Sequence, residues 1–174
     1  MCGIVGYIGY REAYPIVIKG LKRLEYRGYD SAGVMLYDGE TMKIAKAKGK
    51  VVDLEEKTSK EITTNGTIGI GHTRWATHGV PNDVNSHPHL SNSGDLAIIH
   101  NGIIENYKEL KDELTQKGHK FVSQTDTEVI VHLFENYNNQ LNDATKAFQN
   151  TVSRLEGAFS ILLISKAEPK KIFF

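Results

Sequence analysis

The 174-residue chain has one cysteine, one tryptophan, no net charge and no long apolar run. Each scarcity excludes something. A single cysteine leaves no partner for an intramolecular disulfide and fits a reducing compartment, so a cytoplasmic location is expected. Basic and acidic residues balance, 21 against 21, so no global field draws the chain to nucleic acid or an acidic membrane, and neither is expected as a partner. No stretch approaches the ~20 apolar residues that would span a bilayer. The first residues lack a basic n-region and a long apolar h-region, so a signal peptide is not expected. There is no internal repeat, low-complexity run or interdomain linker, which suits one domain over residues 1–174.

The one cysteine is Cys2, directly behind the initiator methionine in "MCGIVGYIGY". A lone cysteine among small apolar residues is usually a minor core residue. Position 2 argues otherwise, because chain ends are exposed unless something ties them down. Cysteine is small, so an aminopeptidase is expected to remove Met1. Thiol and α-amine would then share one residue. An α-amine titrates near ~8 and a thiol near ~8.5, so the amine can take the thiol proton at neutral pH. Nucleophile and general base come from one residue.

Periodicity gives the elements. "GIVGYIG" reads as a buried strand, and "AYPIVIKGLKRLE" as a helix with Pro15 in its first turn and Ile18, Leu21 and Leu24 as its stripe. "YRGYDSAG" has the composition of a loop. "VMLYDGETMKIAKAK" reads as two strands about an Asp38-Gly39 turn, and "VVDLEEKTSK" as a short helix. "TIGIGHTRWA" begins as a strand and runs into a polar loop over 72–94, and "DLAIIHNG" is a further strand. Two helices follow. The first has Tyr107, Leu110 and Leu114 on one face and Gly118 as its stop. The second turns Val129, Ile130, Leu133 and Phe134 inward, with Thr125 or Asp126 as candidate cap. "NDATKAFQNTVSRLEG" repeats the cap–helix–Gly plan, "AFSILLIS" is a buried strand, and "KKIFF" starts another. Strands and helices come in groups, which favours α+β layering. The apolar ending suggests a domain that is C-terminally incomplete.

Four polar stretches fall at strand ends, where loops carry function: "EYRGYDSAG", "GHTRWATHG", "IIHNGIIENY" and "SQTDTEV". With "MCGIVG" they resemble the N-terminal-nucleophile glutamine amidotransferases over essentially the whole chain. Within these the match is closest to the glutaminase domains of the glucosamine-6-phosphate synthase family. The resemblance implies a four-layer αββα sandwich with two antiparallel sheets face to face. It implies hydrolysis of glutamine to glutamate and ammonia through a thioester on Cys2. In an intact enzyme of that family, sugar-isomerase domains use the ammonia to make glucosamine 6-phosphate from fructose 6-phosphate, usually in a homo-oligomer. Two alternatives stand beside it. One is a glutaminase domain serving another acceptor, as in phosphoribosyl-pyrophosphate amidotransferases. The other is a non-catalytic module that binds glutamine or a metal.

The resemblance assigns roles residue by residue. Asn101 and Gly102 match the oxyanion hole that Cys2 attack requires, although "NG" alone reads as a tight turn. Arg74 offers a planar fork to the α-carboxylate, against the plainer reading of a solvated surface charge. Asp126 matches the α-ammonium site, against a helix cap. Thr77 and His78 complete the carboxylate site, and Trp75 gates passage toward the acceptor, against simple core packing. Arg27, Gly28, Asp30 and Ser31 pack beside the nucleophile as support. His72, His78, His87, His89 and His100 cluster in sequence, but no second cysteine and no HExxH helix accompanies them. They are read as loop hydrogen bonding, with His100 buttressing the oxyanion hole and no metal expected. Without a Walker loop or GxGxxG, no nucleotide and no cofactor is expected.

Overall fold

A computed structural model describes residues 2–76 and 79–174. Its elements, in chain order, are β1 (Gly3–Ile8), α1 (Ala13–Leu24), β2 (Ser31–Tyr37), β3 (Met42–Lys48), α2 (Val51–Glu61), β4 (Ile68–Arg74), β5 (His89–Leu90), β6 (Leu96–Gly102), α3 (Tyr107–Gln116), α4 (Glu128–Leu141), α5 (Ala144–Arg154) and β7 (Phe159–Ser165). The strands form two sheets, ordered β1-β4-β2-β3 and β5-β6-β7, and every pairing is antiparallel.

Period-2 alternation sorts the side chains into three cores. On β2, Ala32, Val34 and Leu36 face α1 and α2, where they meet Val17, Leu21 and Leu54. The alternate residues Met35 and Tyr37 face the other sheet and pack with Ile70, Ile99 and Ile164. On β6, Leu96 and Ile98 turn outward onto α3, α4 and α5, against Leu114, Ile130 and Phe134. The layers therefore run helices, sheet, sheet, helices: the αββα sandwich expected from the resemblance.

Four local expectations are corrected. The strand after "YRGYDSAG" already begins at Ser31, because Ala32 is part of the apolar row facing α1. The 72–94 loop is shorter at both ends. β4 runs to Arg74, and His89–Leu90 pairs with Ile98 and Ala97 as a short strand. Neither Thr125 nor Asp126 caps α4, whose cap position is Thr127 without a side-chain bond. "KKIFF" gives a single bridge between Phe173 and Leu163, not a strand. The Asp143 cap of α5 is present, its carboxylate accepting from Lys146 N–H at 3.0 Å.

One close approach decides where the histidine loop lies. A Cβ on Gly33 would sit 1.9 Å from the His87 carbonyl oxygen, so only glycine lets that loop lie against β2. Lys46 on β3 holds the same loop by donating to the Val84 and Pro88 carbonyls at 3.2 and 3.3 Å.

Candidate active site

On β1, Val5 and Tyr7 face the helices while Ile4 faces the other sheet. Cys2 has the parity of Ile4, so its thiol points between the sheets. The half-buried Sγ accepts from Trp75 N–H at 3.2 Å and lies 3.6 Å from the Trp75 carbonyl oxygen. Trp75 is the first residue past β4, and Asp30 fixes that exit. Its carboxylate accepts from Ala76 N–H at 2.8 Å, and its own N–H donates to the Arg74 carbonyl at 3.1 Å.

The end of β6 faces the thiol. Asn101 donates from Nδ2 to the Cys2 carbonyl at 3.1 Å, and its Oδ1 lies 2.8 Å from His72 Nε2. Those two contacts set the amide's orientation, with Nδ2 toward Cys2. Gly102 has φ +121°, and a Cβ there would lie 2.1 Å from the Ala158 carbonyl oxygen. Antiparallel residues alternate between pairs that exchange hydrogen bonds and pairs that do not. Ile103 N–H reaches the Ala158 carbonyl at 3.2 Å, so the neighbouring pair Gly102–Phe159 is of the second kind. The ladder to β7 thus leaves the Gly102 N–H unused. Asn101-Gly102 is not a tight turn but the end of a strand.

These groups line a cavity of about 470 Å³ together with Arg74, Trp75, Asp126 and Thr127. Arg74 is buried, 4% exposed, and donates to the Gly79 carbonyl at 3.1 Å. Burial pulls its pKa down, and the nearby Cys2, Asp30 and Asp126 act in the opposite sense. A solvated surface charge is therefore excluded. Asp126 is equally buried and accepts from Ile104 N–H at 2.8 Å through one oxygen. Trp75 is 45% exposed and meets Tyr29 edge-on at 5.4 Å, which is not core packing. Arg27 lines the cavity too. Thr77 and His78 lie outside the described residues.

Four histidines, His72, His87, His89 and His100, form a buried group at the cavity, which His72, His87 and His100 line. His72 stacks on His87 at 4.1 Å. His87 Nδ1 accepts from His100 N–H at 3.2 Å, so its Nε2 carries the proton and donates to Thr127 Oγ1 at 3.2 Å. His100 Nδ1 lies 2.8 Å from the same hydroxyl, and His89 Nε2 lies 3.1 Å from Thr125 Oγ1. Burial keeps the His72, His87 and His89 rings neutral. It pushes the His72 pKa down to about 3 and those of His87 and His89 well below the ordinary value. The ring that holds the Asn101 amide is His72, not His100, because His100 has the opposite parity on β6 and reaches Thr127 instead. A signal for His72 was present: Ile68, Ile70, His72 and Arg74 form one period-2 row on the apolar face of β4. Thr127 was missed altogether, and nothing in its sequence context marks it.

Residues 57–173 match the family model described as "Glutamine amidotransferase domain". This chain belongs to that family. Its curated relatives include the glutamine–fructose-6-phosphate aminotransferases (isomerizing) of Bacteroides thetaiotaomicron and Clostridium tetani. They are 57% and 52% identical over 99% of this chain, which corresponds to 28% of each relative. The amidotransferase chain thus spans less than a third of the length of those relatives. Among solved structures, the glutamine phosphoribosylpyrophosphate amidotransferase of B. subtilis, complexed with ADP and GMP, superposes with a TM-score of 0.81. It is 32% identical over 95% of this chain and 35% of its own. A structure titled as the allosteric regulatory enzyme of purine biosynthesis gives 0.84 at 33% identity, over 95% and 36%. The amidotransferase shares the four-layer N-terminal-nucleophile fold with both.

Proposed function

We propose that this amidotransferase domain hydrolyses glutamine through Cys2, once removal of Met1 has freed its α-amine. The amine takes the thiol proton, and sulfur attacks the γ-amide carbon. The oxyanion that forms is stabilised by Asn101 Nδ2 and the Gly102 N–H, donors fixed before charge develops. The proton passes to the amide nitrogen, the C–N bond breaks and ammonia leaves. Water then attacks the γ-glutamyl thioester, releasing glutamate and restoring the thiol. Arg74 holds the α-carboxylate and Asp126 the α-ammonium, opposite charges for the opposite ends of a free amino acid. Thr77 and His78 complete the carboxylate site and Trp75 gates the ammonia path, while Arg27 and Asp30 support the strand exit.

One observation carries the reading. A half-buried thiol, an oriented amide, a backbone N–H left out of the β7 ladder, and the buried side chains of Arg74 and Asp126 surround one cavity. In the parent enzyme the ammonia goes to sugar-isomerase domains and converts fructose 6-phosphate to glucosamine 6-phosphate, in a cytoplasmic homo-oligomer. Identities of 48–57% to the sugar aminotransferases, against 32% to the phosphoribosylpyrophosphate amidotransferase, favour that acceptor over the other. A glutamine-derived diazoketone tests the domain's chemistry. It should label Cys2 in chains that have lost Met1 and spare chains that retain it. Equal labelling of both, by peptide mapping and intact mass, refutes the self-activating mechanism. Arg74→Ala should lose discrimination against glutamine α-esters, and Asp126→Asn against α-amine-blocked glutamine. If both variants still reject both analogues, the substrate orientation is wrong.

A further inference from the structure

A second set of titratable groups lies in the outer helical layer, and none of them lines the catalytic cavity. His132 and Glu135 stand three residues apart on one face of α4, and His119 follows the stop of α3. One possible ligand atom from each of the three lies within 4.8 Å of the other two. His119 Nδ1 is 3.4 Å from Glu135 Oε2, and His132 Nδ1 is 3.8 Å from the same oxygen. His132 is wholly buried, and its Nδ1 has no hydrogen-bond partner. Its other nitrogen faces Glu128 Oε1 at 3.4 Å. With the ring proton on that side, Nδ1 presents a lone pair to a carboxylate oxygen.

A cation fits between those electron pairs, either a second ring proton or a metal ion, and the two compete for the place because, against burial, the flanking Glu128 and Glu135 raise the His132 pKa. We propose that His119, His132 and Glu135 bind one divalent transition-metal ion, best fitted by Zn²⁺, with water completing the coordination. Two imidazoles and a carboxylate are a donor set that zinc accepts. Tetrahedral zinc with ligands at ~2.0–2.1 Å places them about 3.3 Å apart. The 3.4 Å pair meets that spacing, and the 3.8 Å pair needs a small ring rotation. The surroundings have the form of an outer shell. Glu128 accepts a hydrogen bond from the His132 ring N–H, as carboxylates do behind metal-bound imidazoles. Glu128 is itself fixed by Val122 N–H, Ser123 N–H and the Ser123 hydroxyl at 2.8, 2.7 and 2.6 Å. Ser93 and Asn92 N–H groups fix Glu135 at 3.0 and 3.3 Å. Phe121 meets the His132 ring edge-on at 4.7 Å and closes one side. Entry is from the His119 side, where the side chain is 12% exposed. The ion would join the exit of α3, the body of α4 and the 92–93 turn, a structural role apart from the chemistry at Cys2.

The test uses the full chain, stripped with chelator and titrated with Co²⁺ alone and with Zn²⁺ alone. Expected are saturation at one ion per chain, visible d–d absorption from Co²⁺, its displacement by Zn²⁺, and a higher thermal midpoint with either ion. His119→Ala, a change at a partly exposed position, should weaken binding at least tenfold while keeping the metal-free midpoint. Cys2→Ser should leave the Co²⁺ spectrum intact, which excludes the thiol as the ligand. The proposal is overturned by no saturable binding at several-fold metal excess, by His119→Ala binding as wild type, or by loss of the spectrum in Cys2→Ser. It is also overturned if nitrogen NMR finds both His132 nitrogens protonated and unchanged by added Zn²⁺, because a proton then fills the place assigned to the metal.

Discussion

Among the described residues two histidine groups are buried, and they differ in their company. His72, His87 and His89 pack among one another, Thr125, Thr127 and the Asn101 amide, with no carboxylate in direct contact. His132 sits between Glu128 and Glu135. Burial opposes charge in both places, so the neighbours decide the outcome. The first group is held neutral and serves as oriented donors and acceptors at the cavity. In the second, the fixed carboxylates of Glu128 and Glu135 raise the His132 pKa against burial, which is an environment that favours a cation. Residue type alone would have treated the two groups as one.

The contrast breaks hardest at the cavity. Asn101→Ala removes a donor that matters only when the oxyanion exists, so kcat should fall about 10²–10³-fold with little change in KM. Steady-state kinetics decide this, and a large KM change with kcat intact would make Asn101 a ground-state residue. His72→Phe tests the neutral group as a positioning device. Without the His72 Nε2 contact, the Asn101 amide can turn its oxygen toward Cys2, and kcat should fall roughly ten- to hundredfold, the scale of lost supporting contacts. KM should stay near wild type, which a merely unfolded fraction would also allow, so the retained thermal midpoint must be checked alongside.

Glu128→Gln tests the carboxylate group. It weakens the anchor of residues 122–123, which lead into Asp126 and Thr127. The expected cost is about 1–3 kcal/mol in urea denaturation, the scale of a buried donor left poorly satisfied. KM for glutamine should rise several-fold, and kcat should change less.

The pH dependence of stability sharpens the comparison. His72, His87 and His89 have folded pKa values depressed by burial, to about 3 for His72. The unfolded chain then binds more protons below the ordinary value of ~6.5. Their stabilisation is full above that pH and is lost as pH falls toward the folded values, at up to about 1.4 kcal/mol per pH unit for each ring. Denaturant midpoints measured downward from pH 7 should therefore fall before ordinary carboxylates titrate. His72→Phe should reduce that slope, and an unchanged slope would mean that the ring is accessible to protons. The smallest effect belongs to the surface. Arg154 pairs with Glu113 at 2.6 Å, but the two side chains are 41% and 33% exposed. Solvent screens the pair, so Arg154→Ala should cost less than ~1 kcal/mol.

Local patterns along the chain specify the elements and mark most of the candidate site residues. Period-2 and helical patterns are local consequences of which face is buried, so β1, α1, β6 and α4 could be read directly. Cys2, Arg74, Asn101 and Asp126 were legible because each is an unusual residue in a recognisable stretch. What the sequence could not supply was contact across the two sheets. Sequence spacing cannot say that His72 meets Asn101, 29 positions on, or that Asp126 spends an oxygen on Ile104 N–H instead of capping α4. Nor can it say that His119 and Glu135 share one point in space. Those pairings depend on strand register, on parity and on a glycine that admits the His87 loop against β2. They follow from the packing of layers, which no short stretch of chain contains.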